Sequence, residues 1–278
     1  YPLVLKFSQK FARETMKLGV NIDHIAVLRE ARRCGDPSPI DALLPSMLGG
    51  ADQITIHLRE DRRHIQDADA HTIANLCRLP LNIECAVEPS IIDIICDVKP
   101  QRATLVPEKR EEVTTEGGID LYKTAAPLKE ATRRLREAGV SVSYFIDPCE
   151  ITVALSKEYG ADAVEFHTGR YANLFLALNT NIQCTHHRIE FLGDDRTWQT
   201  DELEKELETI RKCASLAEEM GLFVAAGHGL NYQNVTAISD IEGIKELNIG
   251  QSIVARSVFV GFERAVREMK ELICKNQK

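Results

Sequence analysis

This chain of 278 residues lacks a long apolar run and an excess of basic residues. No apolar run approaches the ~20 residues that a membrane-spanning helix needs, so we expect a soluble protein with no membrane partner. Basic residues are not in excess, because 34 Lys and Arg stand against 42 Asp and Glu, which gives a net charge of -8 and a pI near 5.6. A nucleic-acid binder would carry a basic face, so we expect no nucleic-acid partner. Any anionic ligand must be held by local cations.

The eight cysteines form no Cys-x-x-Cys pair. They are scattered and mostly fall inside apolar segments, so we interpret them as reduced thiols of a cytoplasmic protein. One cluster, Cys184-Thr185-His186-His187, could suggest a metal. It lacks a second pair of ligands at metal spacing, so we predict no metal site.

The first residues do not read as a targeting signal. Tyr1 to Thr15 mix three basic residues with an apolar stretch that is too short and too interrupted for a signal peptide. We predict that Met16 is the natural start and that the residues before it are an N-terminal extension or a cloning remnant. The chain then divides into an N-terminal segment, residues 1–16, and one catalytic domain, residues 17–278.

Short apolar strands alternate with amphipathic helices along the rest of the chain, which is typical of a parallel sheet. The predicted strands span 18–22, 53–57, 81–86, 102–106, 140–146, 163–167, 223–226 and 246–249, and the last helix spans 252–275. Eight such units in about 260 residues predict an α/β fold, a single (β/α)8 TIM barrel, with an extra helical segment after strand 6. A doubly wound sheet is the competitor, but Asn21-Ile22-Asp23-His24 stands where its Gly-x-Gly-x-x-Gly turn would lie.

Acid, base and glycine residues follow most of the predicted strands, at the end where barrels of this kind carry their active site. Any one of them could be a satisfied core residue. Together they predict a single site in which four groups transfer protons near neutral pH. The four are His57, Glu84, Glu165 and His228.

The same rim offers two places for an anion. Gly227, Gly229 and Gly250 let backbone amides approach a ligand, and Ser252 begins a helix whose N-terminus attracts anions. A second anion site could form from Arg59, His64 and Thr114. Two anion sites suggest two phosphorylated substrates. The absence of a strand-end lysine counts against a Schiff-base aldolase, and the absence of His-x-His on the first strand counts against a metal-dependent hydrolase.

Five motifs carry a resemblance to a known family. They are Asn-Ile-Asp-His-Ile (21–25), Ile-His-Leu-Arg-Glu-Asp-Arg-Arg-His-Ile (56–65), Val-Pro-Glu-Lys-Arg-Glu-Glu-Val-Thr-Thr-Glu-Gly-Gly (106–118), Ala-Gly-His-Gly-Leu (226–230) and Glu-Leu-Asn-Ile-Gly (246–250). Together they resemble the pyridoxine 5'-phosphate synthase family of vitamin B6 biosynthesis. The resemblance runs from about Leu18 to the C-terminus, and motifs of this length are highly specific.

The resemblance implies condensation of 3-amino-2-oxopropyl phosphate with 1-deoxy-D-xylulose 5-phosphate, with release of phosphate and water and with no cofactor. It makes His57 and Glu84 proton acceptors, His228 a proton donor and Glu165 a stabiliser of charged intermediates. It assigns Asp23, His24, Arg59, His64 and Thr114 to the deoxyxylulose phosphate, and Asn21, Arg32, Gly229, Gly250 and Gln251 to the amino ketone phosphate. It also implies a homo-octamer.

Two departures from the family pattern stand out. Gln251 lies where relatives often have histidine, and both residues can hydrogen-bond to a phosphate, so we expect little change. Residues 174–199 look longer than in compact members. Two alternatives stay open at this point: another phosphosugar isomerase or aldolase on a TIM barrel, and a phosphometabolite sensor without turnover.

Overall fold

The computed structural model describes residues 15–108 and 117–275, and its strands close into one parallel barrel. Each strand pairs with the next along the chain, and the eighth pairs with the first. The predicted barrel is therefore confirmed, and each predicted strand end is right to within one residue. The strands are β1 (Lys17–Asn21), β2 (Gln53–Leu58), β3 (Leu81–Cys85), β4 (Arg102–Leu105), β5 (Ser141–Ile146), β6 (Ala163–His167), β7 (Phe223–Gly227) and β8 (Glu246–Ile249).

Helices surround the barrel. They are α1 (Asp23–Arg32), α2 (Leu43–Gly49), α3 (Asp67–Leu76), α4 (Pro89–Val98), α5 (Ala125–Glu137), α6 (Glu150–Glu158), α7 (Gly169–Asn179), α8 (Arg196–Glu219), α9 (Val235–Ser239), α10 (Gln251–Val260) and α11 (Phe262–Cys274). No helix in the described ranges combines the length and apolar character needed to cross a membrane.

Burial on both faces explains the composition of the strands. Every residue of β2 is buried, because its even and odd positions face the barrel interior and the helix layer in turn. The facing helices bury one stripe each, such as Leu128, Ala131 and Leu135 of α5. The rigid strands therefore hold whatever side chains follow their carboxyl ends.

Two features of the helix layer differ from the sequence-based expectations. Helix α1 begins directly after β1 at Asp23, in a stretch that was expected only to carry site residues. The single helix predicted for residues 252–275 is wrong. Helix α10 ends at Val260 and α11 begins at Phe262, with Gly261 between them. Gly261 adopts φ 83° and ψ 153°, a conformation that belongs to glycine and cannot continue a helix.

The predicted extra segment after strand 6 is confirmed. Helix α7 is followed by two short 3-10 turns, Ile182–Cys184 and Glu190–Leu192, and then by the long α8. Asp195 caps α8 by accepting hydrogen bonds from two backbone amides of its first turn. Leu174, Ala177 and Leu192 form a small apolar cluster separate from the main core, so the insertion packs on itself outside the barrel.

Of the predicted N-terminal extension, the structure describes Thr15 and Met16. Met16 is buried, and its carbonyl accepts a hydrogen bond of 2.7 Å from Lys270 Nζ on α11. Residues 1–14 lie outside the described residues. The boundary of the domain at residue 17 stays a prediction.

Candidate active site

The ends of β1 and β2 are joined by side chains. Asn21 Oδ1 accepts from the Asp23 amide at 2.9 Å, and Asn21 Nδ2 donates to Asp23 Oδ2 at 2.8 Å. The other carboxylate oxygen of Asp23 accepts from the His57 amide at 2.8 Å. Burial raises the pKa of Asp23 to about 6, although these hydrogen bonds and the charges of His57 and Arg59 oppose the shift. The carboxyl of Asp23, with its pKa of about 6, therefore fixes the backbone that carries His57.

His57 lies between two carboxyl groups. Its Nε2 is 2.7 Å from Glu108 Oε1, and its Nδ1 is 3.8 Å from Glu84 Oε2. The second oxygen of Glu108 accepts from the Glu60 amide at 2.9 Å. The strand register explains part of this arrangement, because His57 on β2 is paired directly with Glu84 on β3. The three side chains form a row along the barrel rim.

The two carboxyls of this row are shifted in opposite directions. Burial raises the pKa of Glu84 well above its usual value, and the charges of Glu165, Asp23 and Glu108 add to the rise. Burial also acts to raise the pKa of Glu108, but hydrogen bonds from His57 and Glu60 outweigh it and hold that pKa below its usual value. Glu108 is therefore an ionised acceptor, so His57 Nε2 is the donor, and in the neutral ring the lone pair is on Nδ1, which faces Glu84.

Glu108 was not among the predicted site residues. It lies three residues after β4, within the motif of residues 106–118. The signal that could have identified it is its place at the same rim as the other site residues, just beyond a strand end. Its partner is 51 residues away in sequence, so only the register of the barrel shows the pairing.

Glu165 lies inside the barrel on β6. Its Oε2 accepts from Asn248 Nδ2 at 2.7 Å, and a Cβ at Gly227 would lie only 2.4 Å from its Oε1. Gly227 is therefore required here for the room that it leaves. Burial raises the pKa of Glu165 to about 7, against the hydrogen bond from Asn248.

Asn248 continues into a polar chain that crosses the barrel interior. Gln53 Nε2 lies 3.4 Å from Asn248 Oδ1 and donates at 3.1 Å to Glu246 Oε1, which also accepts from Arg102 Nη1 at 2.6 Å. Buried polar groups of this kind are stable only when they are paired. The chain therefore fixes Asn248, which in turn fixes Glu165.

His228 follows β7 in a left-handed conformation, with φ 78°. The hydroxyl of Thr168 is 2.6 Å from the His228 carbonyl and 2.7 Å from the Gly227 carbonyl, which holds this backbone in place. Burial lowers the pKa of His228 to about 4, and the nearby His167 and His24 contribute. Burial also lowers the pKa of His24. The rings of His228 and His24 are therefore neutral at pH 7.

Two of the predicted phosphate residues on the β2 side, Arg59 and His64, lie close to each other. Arg59 is buried, and its guanidinium contacts Asp61 at 3.2 Å, which in turn binds Arg63. The His64 ring lies 6.1 Å from that of His57, and burial lowers the pKa of His64 to about 3. His64 Nδ1 accepts from the Ile65 amide at 2.9 Å, so its Nε2 carries the proton. Thr114 lies outside the described residues.

The predicted anion site on the β7 and β8 side is built from backbone. Gly229 has φ 80°, and a Cβ there would lie 2.6 Å from that of Ala172. Gly250 precedes α10, and a Cβ there would lie 2.9 Å from the Asn21 carbonyl. The first α10 residue, Gln251, is exposed. The open amides of this helix N-terminus suit an anion.

Arg32 is the one described candidate that lies apart from the rim. It is exposed in the last turn of α1, nine residues after Asp23, which corresponds to about 13 Å along a helix. Its role in binding stays a prediction. The other described candidates all lie within six residues of the carboxyl end of a strand.

A closed parallel (β/α)8 barrel with buried carboxyls and neutral imidazoles at one rim defines a TIM-barrel enzyme of the acid–base type. Residues 18–275 match the family model described as "Pyridoxal phosphate biosynthesis protein PdxJ". The chain belongs to the PdxJ family.

Relatives of known name support this assignment over nearly their whole length. The chain is 56% identical over 258 residues to the pyridoxine 5'-phosphate synthase of Nautilia profundicola, covering 93% of this chain and 99% of that protein. It is also 56% identical to the pyridoxine 5'-phosphate synthase of Campylobacter fetus, with 93% and 100% covered. The predicted family and enzyme class are confirmed.

Solved structures show the fold at much lower identity. KGPDC from Streptococcus mutans is similar with a TM-score of 0.60 and 13% identity, covering 94% of this chain and 99% of that one. A phosphoribosylanthranilate isomerase from Thermotoga maritima is similar with a TM-score of 0.55 and 13% identity, with the same coverage. At this identity the likeness bears on the barrel alone.

Proposed function

We propose that the chain condenses 3-amino-2-oxopropyl phosphate with 1-deoxy-D-xylulose 5-phosphate to form pyridoxine 5'-phosphate, with release of phosphate and water. The observation that carries this proposal is the row Glu84, His57 and Glu108 on the rim of a barrel of the PdxJ family. Amine attack on a ketone, enolisation, phosphate loss and ring closure all need protons moved between nitrogen, oxygen and carbon. Paired acids and bases perform such transfers.

His57 and Glu84 act as the proton acceptors. Because Glu108 fixes the proton of His57 on Nε2, the lone pair of Nδ1 faces Glu84 and the substrate space. The raised pKa of Glu84 makes it a stronger base, once ionised, than an ordinary carboxylate. The separation of 3.8 Å between Nδ1 and Glu84 Oε2 is longer than a hydrogen bond. A substrate atom placed beside both groups can therefore lose its proton to either.

Glu165 and His228 serve the charged intermediates. The pKa of Glu165 is about 7, so near neutral pH the carboxyl can ionise beside a cationic imine and stabilise it. His228 is neutral, with its pKa lowered to about 4, so the proton it donates is one of an uncharged ring. The two roles separate charge stabilisation from proton donation.

The two phosphates bind at opposite sides of the rim. The deoxyxylulose phosphate contacts Asp23, His24, Arg59, His64 and Thr114. His64 suits this role because its Nδ1 accepts from a backbone amide, which leaves the proton on Nε2 for the phosphate. The amino ketone phosphate contacts Asn21, Arg32, Gly229, Gly250 and Gln251, where the N-terminus of α10 supplies amides. Both substrates then meet over Glu84 and Glu165.

The assembly and the cellular location of the enzyme are part of the proposal. We place the enzyme in the cytoplasm as a homo-octamer without a nucleic-acid partner, with residues 17–278 as its one domain. Val258 and Phe259 near the end of α10 are 71% and 83% exposed, and large apolar side chains this open favour contacts between subunits. Size-exclusion chromatography with light scattering measures the mass of the assembly directly. A monomer at micromolar concentration contradicts the octamer.

Turnover of both phosphates tests the function. The purified chain is incubated with the two substrates, and pyridoxine 5'-phosphate fluorescence and free phosphate are followed together. Product and phosphate should appear in equal amounts. A folded protein that forms neither overturns the proposal, and a folded protein that consumes one phosphosugar alone supports the isomerase or aldolase alternative.

Glu84→Gln tests the assignment within the site. The amide keeps the size of the side chain but cannot accept a proton, so kcat should fall about 10²- to 10⁴-fold while both substrates still bind. Calorimetric titration measures the binding. Glu88→Gln, an exposed glutamate after the same strand, is the matched control and should leave kcat unchanged. Wild-type rates in Glu84→Gln remove Glu84 from the mechanism.

A further inference from the structure

A second histidine, His167, lies beside His228 and has no part in the proposed function. His167 at the end of β6 is buried, and its ring lies 4.8 Å from that of His228 between centroids. Phe145 packs against both rings, at 5.2 Å and 6.2 Å. Two imidazoles thus share one apolar wall.

Asp147 fixes the orientation of His167. Its Oδ1 is 3.0 Å from His167 Nδ1, and hydrogen bonds from His167 and the Gly118 amide hold the pKa of Asp147 below its usual value against the effect of burial. The ionised carboxylate can only accept, so Nδ1 carries the proton of His167. The lone pair of His167 is consequently on Nε2.

The Nε2 atom of His167 lies against a glycine. It is buried and has no hydrogen-bond partner within residues 15–108 and 117–275. A Cβ at Gly169 would lie 2.5 Å from this nitrogen and 3.3 Å from His228 Cδ2, so only glycine leaves room for the two rings here. A buried nitrogen left without a partner costs free energy unless it has a use.

We propose that Asp147 and His167 are positioning residues for His228, which keep an uncharged acceptor nitrogen beside its ring while it donates its proton. The inference rests on the proposed function. In many active sites a carboxylate fixes the tautomer and orientation of a histidine. Here Asp147 would fix the tautomer of His167, and the ring of His167 would position His228. His167 in the other tautomer would present a donor to His228 and compete for the same substrate acceptor.

Other charged groups around the pair are accounted for. On α7 and α8, Arg170 Nε lies 3.4 Å from Glu206 Oε2, and burial raises the pKa of Glu206. His24 on α1 is near enough to His228 to contribute to its lowered pKa. Of these groups, Asp147 alone makes a hydrogen bond to either imidazole ring within the described residues. The groups that bear on the pH profile are Asp147, His24, Arg170, Glu206, His167 and His228.

Asp147→Asn is the direct test. Loss of the carboxylate frees the tautomer of His167, so kcat should fall about 10- to 100-fold, the usual cost of losing an orienting partner of a histidine at a metal site. KM for both phosphates should change less than about twofold. Because a negative charge is removed, the cationic form of the pair is disfavoured and the acid limb of the kcat profile should move to lower pH. Asp147→Glu should recover part of the rate.

A second variant and a matched control complete the design. Gly169→Ala places a methyl group against His167 Nε2 and the His228 ring, which displaces the two rings and should lower kcat with the same KM. Asp162→Asn, whose carboxylate accepts from the Val142 amide at the other end of β5 and β6, should move neither kcat nor the acid limb. Thermal unfolding verifies that each variant folds.

Nitrogen-15 spectra of the histidine rings supply a measurement that needs no substrate. The wild type should show one Nδ1–H tautomer signal that is missing in His167→Gln and is lost or moved in Asp147→Asn. Wild-type turnover tests the proposed function separately. If the wild type lacks this signal, or if it turns over and Asp147→Asn keeps its kcat and acid limb, the inference is overturned.

Discussion

Burial shifts the acids and the bases of this site in opposite directions. It raises the pKa of Asp23 to about 6 and of Glu165 to about 7, and it lowers the pKa of His64 to about 3 and of His228 to about 4. Near neutral pH these two imidazoles are neutral, while these two carboxyls exchange protons easily. The fixed negative charge of the rim therefore lies on other groups, such as the ionised Glu108.

Glu108→Gln tests whether His57 depends on its carboxylate. Glu108 serves two donors with two oxygens, His57 Nε2 at 2.7 Å and the Glu60 amide at 2.9 Å, whereas glutamine has one acceptor oxygen. One bond and the charge are lost, so we expect kcat to fall about 10- to 100-fold. KM for the phosphates should stay within about twofold. Steady-state kinetics with each substrate in turn measures both.

The control for this variant is again Glu88→Gln, which makes the same chemical change on the surface. If Glu108→Gln and the control turn over at the same rate, Glu108 does not act through His57. A rise in KM with unchanged kcat also contradicts the expectation, because it would place Glu108 in phosphate binding.

At the scale of elements, the break between α10 and α11 lets one chain segment perform two tasks. The start of α10 lies at the candidate phosphate site, and α11 packs against α2. Lys270 on α11 donates to Asp52 and to the Met16 carbonyl, both at 2.7 Å. A straight helix from 251 to 274 could not reach both places.

Gly261→Ala should destabilise the chain through its backbone alone. No atom lies within 4 Å of a Cβ placed there, so the cost is that of a side chain at φ 83°, about 1–3 kcal/mol. Urea unfolding measures the difference. Gly35→Ala, with equal space but no positive φ, should change the free energy of unfolding by less than about 0.5 kcal/mol. Equal stability of the two variants contradicts the strain argument.

For the whole molecule, the sequence predicted what depends on local pattern. Period and spacing located all eight strands, because buried β-branched runs and flanking turns are local signals. The break at Gly261 was missed because one glycine within an amphipathic pattern is often tolerated. Glu108 and the pair of Asp147 and His167 were missed as partners because their contacts depend on which strands are neighbours. Closure of the barrel supplies that information.

The stability of the whole chain should depend on pH through Glu165. Its pKa is raised from 4.5 to about 7, so between these values the folded state binds a proton that the unfolded chain does not. The stability from this site is full below pH 4.5 and is lost as pH rises through 7. The slope is at most about 1.4 kcal/mol per pH unit.

Glu165→Gln removes this dependence and keeps an oxygen to accept from Asn248 Nδ2. The free energy of unfolding of the variant, relative to wild type, should therefore increase between pH 5 and pH 7. Urea unfolding at pH 5, 6 and 7 measures it, and the shifted groups that do not interact with Glu165 cancel because both chains share them. Glu88→Gln should show a flat difference over the same range. A flat difference for Glu165→Gln as well would mean that Glu165 ionises in the folded chain as easily as in the unfolded one, which would remove the basis for its role beside a cationic intermediate.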